Sequence, residues 1–548
     1  MFKKILALGF FGFSVLTGIT QSFKNPILAG FYPDPSICRA DDDYYIVNSS
    51  FAYYPGLPLF HSKDLLNWKQ IGYAMDRPDQ LELEGAGVSR GLFAPAISYH
   101  NGIFYIVCTE VSKLGNFVIT ATDPKGPWSK PVQLPQVNGI DPSLFFDDNG
   151  KAYIVFNSIP PDNISLHDGH RTIRMFEFDA ENLKVTGEEK LLVNGGTDMT
   201  KKPVWIEGPH LIKKDGWYYL ICAEGGTGYN HSEVVFRSKS PEGPFVSYEK
   251  NPILTQRQLD PSRKDPVTTA GHADFVQAKD GKWWGIFLAC RPYEGDYYNT
   301  GRETFMAPVV WNDGWPTFDL GGKEVKYTYP INAIEDKRRE PFNGNYLFRD
   351  EFNNKKLNIR YRFLRTVHDQ WYDLLAKPGS LTLKLRPETV ADKNNPSFVG
   401  FSQPHLKGFT ATSLRFIPGA ENEKAGLLLF QNEKTYYFLC KTMQGNKQVV
   451  ALYKGAELIT SEALDQPGKD IFFKIEADGD KYSFYYSTQK NKWKLLQGDA
   501  DARYLSTKTA GGFVGCVYAM YATSEGKPSA NTVSYDWFEI KNNDAIYQ

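Results

Sequence analysis

The chain has 548 residues, with 62 Lys and Arg against 63 Asp and Glu, a formal net charge of −1. That balance lacks the excess of cations that neutralises phosphates, which argues against a nucleic-acid partner; 42% hydrophobic and 23% charged residues exclude a disordered chain. The 15% aromatic content, beside 47 Gly and 33 Pro, favours strands punctuated by turns and therefore an all-β protein.

The first 22 residues, MFKKILALGFFGFSVLTGITQS, place two lysines before an apolar run from Ile5 to about Val15 and close on small and polar residues. This is the layout of a signal peptide, its apolar core too short for a membrane span; a buried N-terminal helix is the alternative. No later apolar run approaches the ~20 residues that a span needs. The expectation is an exported protein, periplasmic or secreted, with no membrane partner. The six cysteines (Cys38, Cys108, Cys222, Cys290, Cys440 and Cys516) are widely separated and form no C-x-x-C pair, so zinc and thioredoxin-like motifs are absent. Most read as buried free thiols, although export would permit a disulfide.

From Asp34 onward one element recurs: DPSICRADDDYYIVNSS, then APAISYHNGIFYIVCT from Ala94, DPSLFFDDNGKAYIVF from Asp141, GPHLIKKDGWYYLICAEGG from Gly208 and HADFVQAKDGKWWGIFLA from His272. Each is a short strand, a tight turn and an aromatic-rich second strand, a β-hairpin pattern. Their second residues, at 35, 95, 142, 209 and 273, are spaced by 60, 47, 67 and 64 residues, which leaves room for two further strands per unit. The pattern predicts a five-bladed β-propeller over residues 23–335; a β-sandwich of similar hairpins is the alternative. The charged stretch Glu335–Glu340 and Pro341 mark a boundary. Beyond it GSLTLKL, AGLLLFQ, TYYFLCK, DIFFKIEA, KYSFYYS and VSYDWFEI alternate as strands, predicting a jelly-roll-like β-sandwich domain over 341–548.

Successive blades aim the same strand end into one channel, so the residues that start each repeat converge. Three of them are acidic: Asp34 in FYPDPSIC, Asp141 in NGIDPSLF and Glu207 in VWIEGPHL. Pro follows both Asp residues directly and Glu207 after one Gly; it is expected to hold the preceding backbone extended and so fix the carboxylate angle. Apolar neighbours (Phe31, Ile140, Ile206) predict restricted solvent access and a raised carboxyl pKa. A protonated carboxyl, an ionised one and a third that tunes the first are what glycoside hydrolysis requires. Each motif alone is also an ordinary turn element; three at equivalent repeat positions favour the catalytic reading.

The string NPILAGFYPDPSICRADDDYYIVNSSFAYYPGLPLFHSKDLLNWKQIG resembles the N-terminal motif of glycoside hydrolase family 43. The resemblance continues through GLFAPAISYHNGIFYIV, GIDPSLFFDDNGKAYIVF, IEGPHLIKKDGWYYL, GHADFVQAKDGKWW and TGRETFMAPVVWNDGWP. FRDEFNNKKLNIRYRFLR, AGLLLFQNEKTYYFL and VSYDWFEI are similar to the accessory β-sandwich of its xylosidase/arabinofuranosidase branch. The resemblance implies a five-bladed propeller, inversion at the anomeric carbon, Asp34 as general base, Glu207 as general acid and Asp141 as modulator of the acid. It also implies that Arg302 in TGRETF binds substrate hydroxyls, that His272 in GHADF is a pocket or channel histidine, and that Phe51 and Phe93 wall the pocket. Phe93 stands where relatives often carry a bulkier Trp or Tyr. No cofactor is required; a structural Ca2+ in the channel is allowed, although the chain shows no EF-hand-like loop. The stretch Gly511–Ala522 resembles the region by which the second domain reaches the pocket rim, which implies exo action.

The implied substrate is an oligosaccharide or polysaccharide, from which a terminal α-L-arabinofuranosyl residue would be released, with β-D-xylosyl as the alternative. A retaining fructosidase and a non-catalytic sugar-binding propeller are the other readings. The first would use a nucleophile in an N-D-P-N-G-like element, whereas Asp34 sits in Y-P-D-P-S.

Overall fold

The computed structural model describes residues 21–466, 468 and 470–548; the predicted signal peptide, apart from Gln21 and Ser22, lies outside them. Five antiparallel sheets of at least four strands succeed one another along the chain, each ordered from an inner strand outward. The first blade comprises Ser36–Ala40, Asp43–Val47, Gly56–Ser62 and Lys69–Met75, and the inner strands of the next four are Ala96–His100, Gly139–Phe146, Glu207–Lys214 and Thr268–Gln277. Every predicted hairpin forms the inner pair of a blade, as in Ser36–Val47 to Ala40–Asp43.

The aromatic, β-branched runs of the second strands follow from burial on both faces. In Asp43–Val47, Tyr44 and Ile46 pack in a cluster with Phe275, Ile286 and Phe305 of the fifth blade. Tyr45 and Val47 point the other way, onto Ile97, Ile106 and Cys108 of the second. Alternation thus serves two apolar interfaces, and each large side chain buried there contributes about 1.5–3 kcal/mol. The ring closes without exchanging a strand, since the fifth blade comes wholly from residues 268–318. The N-terminal segment is tied to the end of the propeller instead: Gln21–Lys24 pairs with Thr328–Ile331, and the Asn25 amide nitrogen donates to the Met306 carbonyl while its amide oxygen accepts from the Met306 N–H, both at 2.9 Å.

The second domain is a sandwich of an eight-stranded and a six-stranded sheet. All six strands predicted from the sequence are present, joined by others such as Ser397–Ser402, Lys407–Arg415 and Val517–Thr523. Leu427, Leu429 and Leu439 of the six-stranded sheet pack against Phe473, Ile475 and Tyr535 of the other. Its opposite face, with Leu428, Phe430, Phe438 and Tyr521, packs on Phe31, Phe51 and Tyr53 of the propeller. The charged boundary segment is docked too: Phe342 is buried edge-on against Phe60, with ring centroids 5.2 Å apart. All six cysteines are free, five of them buried and Cys38 half-buried. Among the described residues no helix is long and apolar enough to cross a membrane.

Candidate active site

Asp34 immediately precedes the first inner strand but one residue, Asp141 lies within the third and Glu207 begins the fourth. The three carboxylates line one cavity of about 310 Å³ together with Phe51, Phe93, His272 and Arg302. All seven residues singled out in the sequence are therefore brought together. The carboxylates are 4%, 6% and 7% exposed respectively.

The backbone that aims them differs from expectation. Asp34 has φ 49° and Asp141 φ 54°, left-handed and not the extended geometry that a following proline was expected to impose. The register of the inner pair shifts between Ile140 and Ser143, and again between Glu207 and His210. Pro142 and Pro209 have no N–H for the ladder, so the chain bulges there, and the bulge re-aims the neighbouring carboxylate into the channel. Phe51, Trp205 and His272 share the left-handed conformation, at φ 49°, 56° and 55°. Such residues cost of order 1–3 kcal/mol each, and here they gather around one cavity.

The carboxylates sit in different electrostatic settings. Asp34 accepts from Ser49 Oγ at 2.5 Å and pairs with Arg302 Nη1 at 2.9 Å; the same Nη1 also donates to Thr227 Oγ1 at 3.1 Å. Glu207 has no such cation against it. Burial first, then the charges of Asp141 and Asp34, push its carboxyl well above the usual carboxylate range, while Arg302 and Trp205 oppose the rise. Asp141 is raised to about 7 by burial and the Asp34 charge, against the Gly208 N–H that donates to its Oδ2 at 3.3 Å. An ion-paired carboxylate thus lies in one cavity with a carboxyl whose pKa is pushed well above the usual range, the electrostatic contrast that an acid–base pair requires.

Because Asp141 supports the raised Glu207 pKa, Asp141→Asn is expected to lower it. An acid must be protonated to act, so activity is lost as pH rises through that pKa. The alkaline limb of kcat/KM should move to lower pH in the variant, as read from a pH–rate profile; an unmoved limb would remove Asp141 from this role.

Several wall residues were not foreseen. Trp205 lines the cavity two residues before Glu207, its ring covered by Arg171 at 3.9 Å. Thr227, in the G-G-T-G turn, lines it as well as holding Arg302. Phe513 arrives from the second domain, within the stretch whose approach to the rim was expected. It stacks on Phe51 with centroids 6.0 Å apart and meets Phe93 at 6.2 Å. Its position is fixed by its own N–H, which donates to Ser89 Oγ at 2.9 Å. Gly301 and Gly515 allow the two backbones to meet, since a Cβ on Gly301 would lie 2.7 Å from Gly515 Cα.

His272 lies flat enough on Gly208 that a Cβ there would be 2.8 Å from its Nε2. Burial lowers its pKa to about 3, so the ring is neutral. One step along the channel, Asp274 Oδ2 accepts from Ser36 Oγ at 2.8 Å and from the Ile37 N–H at 2.9 Å. Among the described residues no group of three or more His, Cys, Asp or Glu side chains is placed to hold a metal ion. No step below runs through a cation.

Comparison with known proteins agrees with this geometry. Residues 23–316 match the family described as glycosyl hydrolases family 43, and residues 349–541 match the β-xylosidase C-terminal concanavalin A-like domain. A xylosidase/arabinosidase of Butyrivibrio fibrisolvens is 41% identical, covering 94% of this chain and 99% of its own. The non-reducing end α-L-arabinofuranosidase BoGH43B of Bacteroides ovatus is 36% identical over 95% of each chain. A solved structure described as Bacteroides ovatus xyloglucan PUL GH43B superposes with a TM-score of 0.85 at 36% identity, covering 95% of this chain and all of that one.

Proposed function

Since the chain belongs to family 43 of the glycosyl hydrolases, and is therefore a glycosidase, we propose that it is an exo-acting, inverting enzyme. It removes terminal α-L-arabinofuranosyl residues from plant hemicellulose or its oligosaccharides. The carrying observation is the pairing, in one small pocket, of an Arg302-bound Asp34 with a buried Glu207 whose carboxyl burial pushes well above the usual range. In this reading Asp34 takes a proton from a water that attacks the anomeric carbon, and Ser49 and Arg302 fix the direction of its lone pairs. Glu207 gives its proton to the departing glycosidic oxygen. Asp141 keeps Glu207 protonated, and the neutral His272 adds no charge that would undo this. The rings of Phe51, Phe93 and Phe513 offer one apolar wall to the carbon face of a single sugar, which supports exo action.

The preference for arabinofuranose rests on the names of the two relatives. The dual name of the Butyrivibrio enzyme keeps β-D-xylosidase as the second reading. Both are tested by hydrolysis of nitrophenyl α-L-arabinofuranoside and nitrophenyl β-D-xyloside, with the product anomer followed by NMR. The expected result is turnover of the arabinofuranoside with the β-anomer released first. Failure on that substrate with robust xyloside turnover reverses the order, and a first product that keeps the anomeric configuration of its substrate would mean a nucleophile in place of a base. Export to the periplasm or medium, where polymeric substrate is met, completes the proposal.

A further inference from the structure

Arg302 and Glu303 are neighbours at the head of the strand Glu303–Asn312, and neighbours on extended backbone leave it on opposite sides. Arg302 enters the pocket and pairs there with Asp34. Glu303 turns the other way and is wholly buried, although the mechanism above gives it no part. A buried charge is costly unless it is paired and hydrogen-bonded, and both of its oxygens are fully engaged. Oε1 accepts from the Gly30 N–H at 2.6 Å and from Arg291 Nη2 at 2.8 Å; Oε2 accepts from Arg291 Nε at 2.6 Å and from Thr300 Oγ1 at 3.0 Å.

The second domain holds Arg291 from its far side. Nη2 donates to the Pro404 carbonyl at 2.8 Å, and Nη1 donates to His405 Nδ1 at 3.1 Å and to Tyr547 Oη at 3.3 Å, with Asp544 Oδ2 at 3.5 Å. A guanidinium can only donate, so His405 Nδ1 accepts and its Nε2 donates to the Gly344 carbonyl at 2.8 Å. Arg291, Glu303, His405, Asp544 and Tyr547 are all buried. The two-pronged grip of Glu303 on Arg291 fixes direction as well as distance.

Gly30 belongs to the stretch that ends at Asp34, and this stretch runs beside residues 302–304. Leu28 and Thr304 exchange two backbone hydrogen bonds at 3.3 Å, and the Tyr32 N–H donates to the Arg302 carbonyl at 3.2 Å. Between these two rungs the Glu303 carboxylate takes the Gly30 N–H in place of a ladder carbonyl. Gly30 has φ 88°, and a Cβ on it would lie 2.9 Å from the Gln403 carbonyl oxygen, so the second domain backs the same residue. Four residues on, Asp34 stands in the left-handed backbone that its surroundings must hold. We propose that Glu303 is a positioning residue for Asp34: it seats the Gly30–Asp34 stretch against Arg302 and anchors that seat, through Arg291, to the second domain. This rests on the reading of Asp34 as the base and adds what aims it.

The test is a double-mutant cycle in the full-length protein: Glu303→Gln, Asp34→Asn and the two combined. Each is assayed on the nitrophenyl pentoside that the unaltered protein turns over and on a matching oligosaccharide, at a temperature where circular dichroism shows it folded. An amide has one acceptor oxygen for the four donors that now converge on the carboxylate, so Glu303→Gln should displace Gly30. A misplacement of about 1 Å costs up to roughly 100-fold, so kcat should fall by about 10–100-fold, alike on both substrates because water activation is what suffers. Added to Asp34→Asn, the substitution should cost less than about twofold more, since the group that it positions is already gone. A structural fault would instead multiply with the Asp34→Asn loss, and that result overturns the proposal. So does full kcat in folded Glu303→Gln, or a loss confined to the oligosaccharide. If Glu303→Gln does not fold, Arg291→Met with Glu303→Met leaves no unpaired buried charge and enters the same cycle with the same expectation. Undiminished kcat in Asp34→Asn removes the base reading and this one with it, whereas the other outcomes strike the positioning role alone.

Discussion

Glu207→Gln is expected to lower kcat by about 10²–10⁴-fold on an oligosaccharide, the range that a positioned general acid contributes. The substitution keeps the shape of the side chain and removes the proton that burial and the Asp141 and Asp34 charges hold in place. The loss should depend on the leaving group. Nitrophenolate departs without much help from an acid, so the nitrophenyl glycoside should sit near the small end of that range. A sugar alcohol needs the proton and should sit near the large end. The alkaline limb of the pH profile should vanish as well, because the group that loses its proton there is gone. Binding of free arabinose, measured by calorimetry, should persist, since an amide still fills the site. Equal losses on good and poor leaving groups would take the acid role away from Glu207.

Asp34→Asn should produce a loss of similar size, about 10³-fold in kcat, but of another kind. Water activation is needed whatever departs, so nitrophenyl and oligosaccharide substrates should suffer alike. This variant also carries a structural penalty. Asp34 and Arg302 form an ion pair in which both side chains are buried, and removing one partner leaves a guanidinium without its counter-charge, at a cost of about 3–5 kcal/mol if none of it is solvated. Thermal unfolding therefore has to be followed beside kcat, with the assay run well below the lowered Tm. A rate that recovers on cooling would assign the loss to stability; a rate that stays low in the folded variant identifies the base. The contrast between the two variants in leaving-group dependence is what separates proton donor from proton acceptor.

The hairpin repeat was legible because each second strand has two buried faces, and that condition leaves a continuous aromatic, β-branched run such as YYIV. The carboxylates were legible because they begin repeats whose spacing could be measured. Trp205 and Thr227 were not, since nothing in VWIEG or GGTG sets them apart from ordinary turn residues until the bulges at Pro142 and Pro209 have turned the neighbouring chain. The left-handed backbone of Asp34 and Asp141 ran against the local preference of a residue before proline. Tertiary packing overrides that preference only where the whole channel holds the strained residue. Phe513 is the clearest case: its region was recognised, but its contact, 211 residues beyond Arg302 in the sequence, depends on how the second domain docks on the first blade.

That docking has a consequence for the order in which the enzyme becomes active during its synthesis. Glu207 leaves the ribosome 306 residues ahead of Phe513, and at about 5–20 residues per second the interval is roughly 15–60 s. The strap that joins Tyr547 Oη to the Asn25 carbonyl, at 2.7 Å, forms later still. Acid and base are thus translated well before one wall of their pocket, and a chain that stops short of Phe513 lacks that wall altogether.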